Sequence, residues 1–456
     1  AEAVGTDIGT VTVTQSGGTT FTGNVAAGTS VVLTDTTGTI AFSSDLTTPT
    51  LTTAGQDYGV SLLGGSTITN AVTFLNTGTT QIGDATGDTN TFNGGVTATA
   101  GAVTAAGSVV TSTDDIALGA VTLVDGQNLT LDTANSGGGN ISVSSITGIS
   151  GGTAENVTLE SGSGTITVSG AIGTDIATLS LQENNGGASG AVSLQGDVSV
   201  ATLTTFAQGY NVSLTGASNA ITNAVTFSNT GSVTLGDGTS DVTDFSGGMV
   251  ATAPSGISAQ GTVKADGGSG VLTLGDSDTG VTVAANLIVG GTSTGTISLG
   301  DATLADGATL TAGAGAANQI DLDAITGTAG STASNLTINS TGTVTVAEAV
   351  GTDIGTVTVT QSGGTTFTGT LAAATVAITD TADSQAITFT DSVTIGTGLT
   401  TANGGSDNYN VVFNGASNSI AGTTTFAQGG TLTLGDGTSD VTDFSGGMVA
   451  TAPSGI

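Results

Sequence analysis

Residues 11–15 read VTVTQ, and the stretch around them, GTVTVTQSGGTTFTG at 9–23, returns letter for letter at 355–369. The alternation of Val with Thr puts one residue type on each face of an extended chain. Both residues are β-branched and suit a pleated, half-buried surface. The Gly-Gly that follows supplies a tight turn, after which TTF starts a second short strand. The same grammar recurs along the chain, in VTLES (157–161), TITVS (165–169), TLSLQ (178–182), VSLQG (192–196), VTLGD (233–237) and TLTLG (431–435). Clusters of Gly, Ser, Asn and Asp separate these stretches, and no 3.6-residue apolar period competes with them.

The repetition extends well beyond single strands. Residues 1–23 equal 347–369, and TLGDGTSDVTDFSGGMVATAPSGI at 234–257 equals 433–456. A weaker third copy of the second block lies at 81–98. The tetrad GTDI stands at 5–8, 173–176 and 351–354. The chain therefore divides into about two and a half copies of one long unit, at 1–170, 171–348 and 349–456. Phe74 and Phe92, Phe227 and Phe245, and Phe426 and Phe444 are each 18 residues apart. Short strands with a rung of 18–20 residues predict an all-β chain, a parallel β-solenoid in which each coil stacks on the next. At that rung length the chain would form about 23 coils and one continuous rod of about 110 Å. The competing fold, a string of immunoglobulin-like sandwiches, needs buried aromatic anchors and Pro-marked loops. With 3% aromatic residues and 3 Pro in 456 residues, the sandwich is the weaker reading.

Composition narrows function by exclusion. The chain has 35 Asp and Glu against a single cation, Lys264, for a formal net charge of -34. One cation cannot release the counterions that nucleic-acid binding requires, nor form a basic membrane-surface patch. His and Cys are absent, so zinc, haem and iron–sulfur sites lack the donors they ordinarily use, and His or Cys catalysis has no agent. Only 8% of residues are charged and 37% are apolar, which is not the composition of a disordered acidic tail. No apolar run is long enough to cross a membrane as a helix.

Carboxylates are what remains for chemistry. GDGTSDVTDF gathers Asp237, Asp241 and Asp244, and its copy gathers Asp436, Asp440 and Asp443. Such spacing with Gly turns can supply hard oxygen ligands to calcium, within one chain or bridging two; the competing reading is solvated turn residues. In GTDI, Asp7, Asp175 and Asp353 are expected to bond their own backbone while Ile8, Ile176 and Ile354 return to the core. Tyr58, Tyr210 and Tyr409 occupy equivalent repeat positions, which points to a repeated structural role. Lys264 has Asp266 as a local partner. Paired carboxylates could hydrolyse a glycosidic bond, but sugar-stacking aromatics are scarce and every acidic motif is duplicated. The expectation is therefore a chain that is not an enzyme and has no cofactor beyond the candidate calcium.

GTITVSGAIGTDIATLSL (164–181), NLTINSTGTVTVAEAVGTDIGTVTVT (335–360) and TTFTGTLAAATVAIT (365–379) resemble the long repeats of giant bacterial exoproteins, the filamentous-haemagglutinin-like and autotransporter-like adhesins. The resemblance covers essentially the whole chain. It implies a right-handed parallel β-helix, secretion to the cell surface, and service as a stalk or fibre in adhesion. The expected partners follow: another copy of the chain, end to end or laterally, or the remainder of a longer chain. An adhesin that binds cell-surface glycans and a carboxylate-dependent polysaccharide hydrolase are the alternatives.

Overall fold

The computed structural model describes residues 3–134, 137–183, 186–402 and 408–456. Every regular element among them is a β-strand, and the strands stack in parallel as a β-solenoid of about 19 turns. Among the described residues no helix is long and apolar enough to cross a membrane. The chain forms two compact units, residues 1–221 with 228–231, and residues 222–227 with 232–456.

In the first unit the coils pass through three columns, and the long strands Ile116–Leu123 and Ile141–Thr147 each span two of them. One column is a nine-stranded parallel sheet running from Val25–Ala26 to Thr202–Thr205. Another starts with Thr10–Ser16 pairing Ser30–Thr36, and a third with Thr19–Phe21 pairing Thr39–Phe42. The second unit repeats the plan. A ten-stranded sheet runs from Val225–Thr226 to Leu432–Leu434, and two further columns begin at Val233–Leu235 and Val242–Phe245.

The alternation seen in the sequence fixes which side chains enter the lumen. Ile257–Lys264 buries every second residue, and its inward Ile257, Ala259 and Val263 stack under Val281, Val283 and Val289 of the next coil. The inward Leu272, Leu274, Ile297 and Leu299 are each no more than 2% exposed. Burying each such side chain contributes about 1.5–3 kcal/mol.

The coil is longer than the 18-residue Phe spacing suggested. Register advances by 20 residues from Thr10 to Ser30 and from Val60 to Thr80. It advances by 25 from Ile116 to Ile141 and by 26 from Ile166 to Val192. The excess lies in the corner loops, and it lowers the coil count from the expected 23. The 18-residue Phe pairs do not stack coil on coil. Phe74 and Phe92 sit on different faces of one coil and meet edge to face across the lumen, 6.3 Å between ring centres. Phe227 with Phe245 and Phe426 with Phe444 repeat the arrangement at 6.0 Å. Coil-to-coil stacking belongs to other rings: Phe21 on Phe42, and Phe367 on Phe389 on Phe413.

Corners are built from residues that tolerate backbone contact. A Cβ on Gly164 would lie 2.0 Å from the Gly139 carbonyl oxygen, and one on Gly190 would lie 1.8 Å from that of Gly164. Only glycine lets these corners stack at the strand spacing.

Candidate functional site

The acidic turns are the first place to look for chemistry. In GDGTSD the Asp241 carboxylate folds back on its own turn, where Oδ2 accepts from Asp237 N at 2.9 Å and Gly238 N at 2.7 Å. Asp440 does the same with Asp436 N at 2.9 Å and Gly437 N at 2.6 Å. Asp88, in the weaker third copy, accepts from Asp84 N and Ala85 N, each at 2.9 Å. Three copies thus use the same carboxylate oxygen to close the same turn. Asp237 and Asp436 point to solvent. Asp244 turns to Lys264, 3.8 Å from its Nζ, and its Oδ1 accepts from Asp266 N at 3.3 Å. Asp443 instead accepts from Ser445 Oγ at 3.0 Å. The three aspartates of each copy are therefore spread over a turn closure, a solvent position and an outward strand position. Among the described residues no group of three or more acidic side chains is arranged to hold a metal ion.

Lys264 is held between two carboxylates, Asp244 and the closer Asp266. The hydrogen bond to Asp266 raises the lysine pKa. Asp266 is lowered in turn, first by Lys264 and then by the backbone N–H of Thr292. The single cation of the chain is neutralised in place.

GTDI works differently from the expectation. Thr174 and Asp175, and equally Thr352 and Asp353, take the left-handed conformation at φ between 51° and 58°. That turn swings the carboxylate over the preceding coil. Asp175 Oδ2 accepts from Gly151 N at 2.6 Å and Asp353 Oδ2 from Gly330 N at 3.3 Å, so the bond crosses between coils rather than closing on its own backbone. Ile176 and Ile354 enter the core, each 4% exposed, but Ile8 of the first copy is 45% exposed. Asp7 lies exposed beside it.

Two kinds of buried polar residue carry signals that the sequence only partly disclosed. Tyr58 and Tyr210 hold the same posture. Tyr210 Oη donates to Leu181 O at 2.9 Å and accepts from Phe206 N at 2.8 Å; Tyr58 Oη donates to Leu33 O at 3.1 Å and accepts from Ala54 N at 2.9 Å. Tyr409 Oη donates to Ala402 O at 2.8 Å. Each ring fills the lumen while its hydroxyl satisfies a corner. Burial pushes the Tyr210 phenol up to about 12 and raises Tyr58 as well. Glu155 is the second kind and had no motif to announce it. It is fully buried, with Oε1 accepting from Gly126 N at 3.0 Å and Oε2 without a protein partner. Ser334 takes the corresponding place in the later repeat and donates to Ala305 O.

Among the described residues, a hollow of about 280 Å³ that is open to solvent is lined by strand edges around Gly94, Gly95, Asp114 and Asp115. It falls below the range typical of ligand pockets. Asp276, Asp301 and Asp323 follow the stacked Leu274, Leu299 and Leu322 and form an acidic column at one corner. Asp323 is raised by burial and by the carboxylates of Asp301, Asp276 and Asp321.

The fold and these turns define the class as a parallel β-solenoid. Compared with family models, with curated proteins and with solved structures, the chain finds no match.

Proposed function

We propose that the chain is a structural element of an extracellular fibre or stalk on a bacterial surface, in which coils supply length. The observation that carries this reading is the placement of the repeated block within the second unit. The column that begins at Val233–Leu235 passes through Ile257–Lys264, Val281–Val289 and their successors to end at Val441–Phe444. The sequence copy of Val233–Leu235 is Leu432–Leu434, which lies in the other, ten-stranded sheet. Copies of one motif thus come to lie on different faces of the coil. A lateral stripe that recognises glycans would need its residues to recur on one face. A spacer needs only that each coil fit the next. The duplicated acidic motifs support the same reading, because their carboxylates close turns and bridge coils.

The secreted, bacterial setting draws on the resemblance to exoprotein repeats. Immunogold microscopy on intact source cells, with antibodies to the purified chain, tests it. Label along surface fibres is the expected result. Label that appears only after permeabilisation, or hydrolysis of polysaccharide by the purified chain, would overturn the reading.

A further inference from the structure

The corners at the GTDI segments 173–176 and 351–354 are built alike and differ at one buried position. Glu155 N donates to Asp175 O at 2.9 Å, and Ser334 N donates to Asp353 O at 3.0 Å. Gly148 N donates to Thr174 O at 2.9 Å, and Gly327 N to Thr352 O at 2.8 Å. An earlier coil brings VDG at 124–126 to the first corner and ADG at 305–307 to the second. Ser334 fills its place with a hydroxyl that donates to Ala305 O at 2.8 Å. Glu155 fills the corresponding place with a carboxyl group. Both residues are fully buried. Where the second corner receives a hydroxyl hydrogen, the first receives two acceptor oxygens.

One of those oxygens is satisfied, since Oε1 accepts from Gly126 N at 3.0 Å. Oε2 has no protein partner. It lies over Gly148, where a Cβ would meet both Oε2 and Thr174 O, the latter at 2.6 Å. Two oxygens thus converge above the α-carbon of a buried glycine. The neighbouring acids are engaged with backbone N–H groups. Asp125 Oδ1 accepts from Thr153 N at 2.8 Å, and Asp175 Oδ2 from Gly151 N at 2.6 Å. No side chain brings a positive charge to this corner. The chain has a single Lys or Arg, Lys264, and that residue is held by Asp244 and Asp266.

We propose that Glu155 Oε2 and Thr174 O bind a dehydrated alkali cation, sodium or potassium. The ion clasps three successive coils, which carry Gly126, Glu155 and Thr174. Carboxylate and carbonyl oxygens are the ligands that hard cations take. A buried carboxylate oxygen without a partner is destabilising, and a cation beside it removes the penalty. Charge decides the class of ion. One buried carboxylate is present, so a monovalent ion leaves the corner neutral, whereas a divalent ion would bury a net positive charge. Gly148 is part of the site, because any side chain there would occupy the space next to both oxygens. The second corner has Ser334 in place of the carboxylate and binds no ion, so the chain contains its own control.

Hydrogen exchange read by mass spectrometry tests this on the whole chain. Peptides over 124–128 and 147–156 are compared with those over 305–309 and 326–335, in sodium, potassium and N-methylglucamine chlorides at equal ionic strength. N-methylglucamine screens charge equally but is too large to enter. At an ion concentration ten times the dissociation constant, opening of the first corner should be about elevenfold rarer than in N-methylglucamine. The sodium and potassium arms tell which ion is preferred. The Ser334 corner should exchange alike in all three salts. Glu155→Ser, which gives the first corner the residue of the second, should abolish the ion dependence; if that variant does not fold, the comparison of the two corners in the unsubstituted chain decides alone. Exchange that is the same in all three salts, or that changes equally at both corners, would overturn the proposal. Protection of the first corner that follows acidification and not the cation would overturn it as well, because Oε2 would then carry a proton in place of the ion.

Discussion

Tyr210 offers a sharp test of the core because so little else titrates at high pH. The chain has no His, no Cys, 3 Tyr and one Lys, so above pH 9 its side-chain titration is nearly empty. Tyr210 is fully buried, and burial lifts its phenol from 10.0 to about 12. The unfolded chain releases that proton near pH 10 while the folded chain keeps it. Stability from this group is therefore complete below pH 10 and is lost as pH rises toward 12. A displacement of two units corresponds to about 3 kcal/mol as an upper figure. Urea unfolding followed by circular dichroism at pH 8, 10, 11 and 12 measures the loss, and absorbance at 295 nm reports tyrosinate directly. Tyr210→Phe should lower stability at pH 8 by about 1–3 kcal/mol, because Leu181 O and Phe206 N lose their buried partner. The same variant should then show a shallower alkaline decline than the parent. A Tyr210 that titrates near pH 10 in the folded chain, or a variant whose alkaline decline matches the parent's, would refute the reasoning.

Further perturbations probe other parts of the fold. Gly190→Ala places a methyl 1.8 Å from the Gly164 carbonyl oxygen and should cost about 2–3 kcal/mol, read from the urea midpoint. Asp241→Ala frees two turn N–H groups and should cost about 1–2 kcal/mol, whereas Asp237→Ala should change little. If these aspartates serve the turn and not calcium, the melting temperature will be the same in millimolar calcium and in chelator. Phe245→Ala should cost about 3–5 kcal/mol, but Phe444→Ala, in the same sequence without a covering coil, about 1–2 kcal/mol; hydrogen exchange localises each loss.

What could be read from the sequence depended on how local each cause is. Alternation is local, and VTVTQ shows it within five residues; the buried Val357 and Val359 follow directly. The pairing of Lys264 with Asp266 is local as well. Coil length is not local, because it includes the corner loops, and the 18-residue Phe spacing reported a contact across the lumen instead of an axial repeat. The GTDI aspartates were misread for a related reason. Their left-handed backbone is a local property, but the N–H they reach belongs to the coil before, more than 20 residues away. Glu155 left no trace in the sequence, since neither its neighbours nor its spacing sets it apart from the exposed acids.

The difference between Met249 and Met448 has a wider consequence. Their sequence surroundings match from Thr234 to Ile257, yet one side chain is sealed and the other is open. Burial in this fold is therefore set by the next coil, and sequence contributes by making every coil acceptable to its neighbours. Because successive coils supply interchangeable surfaces, a block can be duplicated and come to rest on another face without loss of fit, as Val233–Leu235 and Leu432–Leu434 have done.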